Sequence, residues 1–87
     1  MTIMASTDIE IKPGLRVGIE SNGAYLQITV LAYGKEIGPI LLRRADAIQA
    51  GGDICKNGNS SRIPIEFLSA DAYLFGRRLA ELASDWP

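Results

Sequence analysis

Apolar side chains alternate on both sides of Asn22-Gly23, and this alternation constrains the fold more than any other feature of the chain. Asn and Gly both tolerate positive φ, which a type I′ hairpin turn requires at its two central residues. A two-residue loop there pairs Ser21 with Ala24, Ile19 with Leu26, Val17 with Ile28 and Leu15 with Val30. The intervening pairs are Glu20 with Tyr25, Gly18 with Gln27 and Arg16 with Thr29. One face is then wholly aliphatic and the other mostly polar, and a one-residue slip would mix the two.

Gly34-Lys35 marks the next turn. A two-residue loop at that pair sets Leu26 against Arg43 and Val30 against Pro39. A three-residue loop, Tyr33 to Lys35, sets Ile28 against Ile40 and Leu26 against Leu42 and keeps the aliphatic face continuous. We therefore expect the longer loop. Gly38-Pro39 marks a bulge or an edge, because proline cannot donate to a ladder. Ile9 to Ile11 adds a short edge strand before a Pro13-Gly14 turn.

A weak internal repeat supports this register. Ile40 to Ile54 and Ile65 to Leu79 share Ile, Ala-Asp-Ala and Gly at an offset of 25 residues. In each copy an alternating apolar segment meets Ala-Asp-Ala and runs into a helical pattern. The first helix is expected over Ala45 to Ala50, ending at Gly51-Gly52, with a polar loop containing Asn57-Gly58 out to Ser61. Arg62 to Leu68 is expected as a further strand with Ile63, Ile65 and Phe67 inward. Ser69 is placed to cap the final helix, and Asp71 complements its dipole. Ala72, Phe75, Leu79, Leu82 and Trp86 recur at spacings of three and four and form its apolar stripe. Arg77, Arg78, Glu81 and Asp85 fall on its remaining surface, and Trp86 either closes the core or joins a dimer.

These elements define an α+β class: an antiparallel β-meander of four to five strands, a C-terminal α-helix packed on one face and a short helix between the last two strands. Residues 1–8 read as a flexible tail and 9–87 as a single domain, since 87 residues leave no room for a second core.

Composition bears mainly on what the chain is not equipped to do. Nine basic and ten acidic residues give a net charge of −1, so no global field draws in nucleic acid or an anionic membrane. Cys55 is the one cysteine, which rules out an intrachain disulfide and favours a reducing, cytoplasmic setting. The N-terminal stretch lacks a basic region followed by an apolar run, so no signal peptide is expected. No segment is apolar enough to span a membrane.

There is no histidine, hence no imidazole base and no Ser-His or Cys-His pair. Cys55 beside Lys56 could be an activated thiol, but an incidental boundary cysteine explains it as well. Asp46 and Asp71 could form an acid–base pair, yet first-turn aspartates stabilising two helix starts account for both. The glycines spell no phosphate-binding loop. No metal or cofactor site is expected, and we expect no enzyme. Arg43-Arg44 and Arg77-Arg78 offer an alternative reading as a nucleic-acid-binding regulator, with Tyr25 and Tyr33 for stacking.

The leading expectation concerns the polar sheet face, which carries Arg16, Glu20 and Thr29 with Tyr25, Gln27, Leu31, Tyr33, Leu41 and Arg43. Tyrosine and arginine amid aliphatic side chains are common interface anchors. Tyr25, Gln27, Leu31, Tyr33, Leu41 and Arg43 are thus the expected partner-binding residues of a small non-enzymatic adaptor or inhibitor. A homodimer through the sheet and a protein partner are expected. So short and plain a chain suits the accessory proteins of bacteria and their phages.

Overall fold

A computed structural model describes residues 6–87. Four strands follow one another as an antiparallel meander: β1 (Ser6–Lys12), β2 (Leu15–Asn22), β3 (Tyr25–Ala32) and β4 (Lys35–Leu42), in the sheet order β1-β2-β3-β4. Two helices complete the chain, α1 (Arg44–Asn57) and α2 (Ser69–Ser84). The residues expected as one domain gather into two compact units, one ending at Arg43 and one spanning Arg44–Trp86. Of the expected tail, residues 1–8, Ser6 to Asp8 belong to β1, and the rest lies outside the described residues.

The first hairpin forms, but its turn sits one residue later than expected. Asn22 pairs with Tyr25, Ser21 with Leu26, Ile19 with Ile28, Val17 with Val30 and Leu15 with Ala32. The loop is therefore Gly23-Ala24. Gly23 has φ +62° and Ala24 is not in the left-handed region, the pattern of a type II′ turn with Gly first. Relative to the expected pairing each residue of β2 meets a partner two positions further along β3. That displacement keeps every side chain on its own face, so face alternation could not tell the two registers apart.

The second hairpin differs in the same region and agrees beyond it. Ala32 pairs with Lys35 across a two-residue loop, Tyr33-Gly34, rather than the expected three. Both loop residues have positive φ, +54° and +74°. Leu31 then meets Glu36 and Val30 meets Ile37. One extra residue enters β4 before Ile40 meets Ile28 and Leu42 meets Leu26, which are the expected aliphatic pairs. Gly38-Pro39 makes this bulge. Gly38 has φ +120°, and a Cβ there would lie 2.6 Å from the Ile28 carbonyl oxygen, so the bend has room only for glycine.

The aliphatic face is buried as expected, apart from Ile40 on the edge strand β4, which is half-buried. Leu15, Val17 and Ile19 of β2, Leu26, Ile28, Val30 and Ala32 of β3, and Leu42 of β4 are all buried. Each large member contributes roughly 1.5–3 kcal/mol by leaving water.

The helical unit departs further from expectation. Helix α1 does not stop at Gly51-Gly52 but continues to Asn57, burying Ala47, Ala50, Gly51 and Ile54. The cause is the partner helix. A Cβ on Gly51 would lie 2.6 Å from the Gly76 carbonyl oxygen and 2.9 Å from the Ala80 nitrogen. A Cβ on Gly76 would strike the Gly51 carbonyl oxygen and come within 2.7 Å of the Cys55 nitrogen. Two glycines thus let the backbones of α1 and α2 touch. They are the glycines matched by the internal repeat.

No strand forms over Arg62 to Leu68. Only Ser60 and Ile63 make an isolated bridge, and Ile65 N–H bonds back to the Ile63 carbonyl across Pro64. Proline has no N–H to give, and the tight turn around it diverts the next donor from any ladder. Ile63 and Phe67 are nonetheless buried, and the Phe67 ring stacks on Phe75 at 4.5 Å. Ser69 is not the cap of α2. The cap position is Leu68, with φ −63° and ψ 149°, whose own side chain makes no capping hydrogen bond. Most of the expected stripe of α2 holds: Ala72, Phe75, Leu79 and Trp86 are buried, joined by Gly76 and Ala83, whereas Leu82 is only half-buried. Trp86 belongs to this helical core, and its carbonyl accepts a hydrogen bond from Arg44.

Candidate interaction face

The outward face of the sheet is set by strand alternation. Reading across it, Arg16 lies opposite Leu31 and Leu31 opposite Glu36. Next comes Gly18 opposite Thr29, then Glu20 opposite Gln27 and Gln27 opposite Leu41. Asn22 opposite Tyr25 closes the other end. Strand β1 adds Asp8 and Glu10, paired with Gly18 and Arg16.

Four of the six expected partner-binding residues meet at one end. The Arg43 guanidinium carbon lies 5.4 Å from the centre of the Tyr25 ring, a cation–π arrangement that contributes about 0.5–1 kcal/mol when exposed. Leu41 stands beside them, 51% exposed, directly across from Gln27. Gln27 is held on both sides: Asn22 Nδ2 donates to its Oε1 at 3.2 Å, and its Nε2 donates to Glu20 Oε2 at 3.5 Å. Leu31 lies four residues along β3 from Gln27, about 13 Å away at strand rise. Tyr33 lies beyond it in the turn. The six residues therefore form two groups, divided by Thr29 and by the gap that Gly18 leaves for want of a side chain. A shallow concavity of about 420 Å³ opens there, lined by Asp8, Arg16, Glu20, Gln27, Thr29 and Glu36 among others. Arg16 holds its acidic side, 3.3 Å from Asp8 and 3.7 Å from Glu10.

Sequence reasoning missed Asn22, Glu36, Asp8 and Glu10 on this face. The first two follow from the displaced registers and Asp8 from the longer β1, while Glu10 lies within the expected edge strand, whose register had not been set. It also missed a second exposed apolar group, Leu68, Tyr73 and Leu74, at 69%, 54% and 45% exposure. The signal was present, since Tyr73 and Leu74 share a helix face with Arg77 and Arg78, opposite the buried stripe.

The other candidate groups are engaged within the chain. Arg44 bonds the Trp86 carbonyl, while Arg77 and Arg78 both pair with Glu81, at 3.0 Å and 3.5 Å. Cys55 Sγ donates to the Tyr73 carbonyl at 3.5 Å, and burial pushes its thiol above the ordinary range against a smaller opposing pull from Arg77. That is the reverse of thiolate activation. Asp46 pairs with Arg62 at 3.4 Å, and Asp71 is buried; each occupies the first turn of its helix, as expected. Among the described residues no group of three His, Cys, Asp or Glu side chains could hold a metal ion, and no helix is long and apolar enough to cross a membrane. No known protein family, curated protein or solved structure matches the chain.

Proposed function

We propose that this protein is a non-enzymatic interaction module, an adaptor or inhibitor, that works through the outward face of its sheet. One observation carries the reading. Tyr25, Leu31 and Leu41 stand 40%, 36% and 51% exposed on strands whose ladder fixes their backbone. Large side chains already held in place lose little further entropy on docking, which is what an interface anchor needs. The engaged arginines and the thiol with raised pKa give the competing readings less support. Capture of partners from the native host by tagged wild type and by Leu41→Asp tests the proposal. Leu41 points outward, so its replacement should leave the unfolding transition in place and abolish retention of the partner. Equal retention by both proteins would overturn the assignment to this face.

A further inference from the structure

The outward face has two unlike ends. One carries Tyr25 and Arg43, the other Leu31 and Glu36. From this polarity we infer that the face pairs with the same face of a second copy, about a twofold axis that runs across the strands between the Gly18–Thr29 and Glu20–Gln27 pairs. The inference rests on the proposed function and adds the occupant and its orientation.

Charge and shape set the orientation. A twofold axis in that direction lays each end of the face on the opposite end of the other copy. Glu36 then meets the second copy's Arg43, and Leu31 meets its Tyr25. Glu36 is exposed and has no ion-pair partner among the described residues. Glu20 enters the second copy's gap over Gly18, beside Arg16. Asp8 borders the same gap and is held by Arg16 at 3.3 Å, so the Glu20 contact adds little net charge energy. The favourable charge contact is that of Glu36 with Arg43, which the symmetry repeats. The other face-to-face choice, an axis along the strands, sets Glu10 against the second copy's Glu36 and is disfavoured by repulsion. Packed sheets cross at about 30°, which leaves the central pairs in place and shifts the corner pair, Glu36 with Arg43, by a distance that the long guanidinium side chain can span. Association through the β4 edge competes poorly, because Pro39 has no N–H and the bulge breaks the row of donors and acceptors. Strand geometry gives a footprint on the order of 500 Å² per copy, hence about 1,000 Å² in total, the lower limit for a specific interface. The dimer is therefore weak and depends on protein concentration.

Sedimentation equilibrium of wild type, Glu36→Arg, Arg43→Glu and the double exchange tests the arrangement, with circular dichroism as a check on folding. Each single exchange places like charges together and should weaken self-association about tenfold, while the double exchange should recover wild-type association to within about threefold. A double variant no better than the singles overturns the twofold arrangement. Single variants that associate like wild type, while Leu41→Asp does not, remove this arrangement but leave the sheet-face reading standing. A wild type that stays monomeric throughout removes the self-association.

Discussion

A methyl group at position 51 has nowhere to go. The nearest atoms are the backbone of α2, with the Gly76 oxygen at 2.6 Å, and a backbone cannot rotate aside as a side chain can. Gly51→Ala should therefore destabilise the protein by about 1–3 kcal/mol, the usual cost of overpacking. The adjacent Gly52 has open space around its would-be Cβ, and Gly52→Ala should stabilise by about 0.5–1 kcal/mol through helix propensity. Urea midpoints moving in opposite directions would check both; a shared direction would contradict the described helix contact. Gly51-Gly52 reads as a helix stop because each glycine costs about 1 kcal/mol in isolation. The contact that offsets this cost lies 25 residues away in sequence, and only the match of Gly51 with Gly76 in the repeat hinted at it.

At the scale of elements, periodicity and loop chemistry carry different information. Alternation assigned Ile19, Ile28 and Val30 to the buried face without error, because it depends only on odd and even positions. It could not place the turn, since moving partners by two residues leaves the faces unchanged. The observed loop yields a discriminating prediction. Gly23 occupies φ +62°, whereas Asn22 is an ordinary strand residue. Gly23→Thr should cost about 1–2 kcal/mol, because a β-branched side chain clashes in the left-handed region, and Asn22→Thr should cost far less. Thermal unfolding of the two variants decides it, and equal losses would point back to a loop at Asn22-Gly23. The segment Arg62 to Leu68 shows the converse. Its alternation correctly buries Ile63 and Phe67 and half-buries Ile65, yet no ladder forms: an inward pattern needs only a core to face, and the N–H groups of Ile63, Ile65 and Phe67 go to the carbonyls of Ser60, Ile63 and Gly58 rather than to a neighbouring strand.

At the scale of the whole molecule, the α+β meander was legible because its hairpins are local and its faces strictly alternate. The candidate face was legible in part. Tyr25, Gln27, Leu41 and Arg43 come together, while the registers that add Asn22 and Glu36 depended on turns that the sequence left open. The exposed Tyr73 and Leu74 on α2 supply a direct rival to the sheet as a contact surface. Sedimentation velocity of wild type, Leu41→Asp and Leu74→Asp over a range of concentrations separates the two. The account predicts that wild type moves towards twice the 9.4 kDa chain mass as concentration rises, that Leu74→Asp follows it, and that Leu41→Asp stays at the mass of one chain. Dissociation by Leu74→Asp with Leu41→Asp unaffected would contradict it.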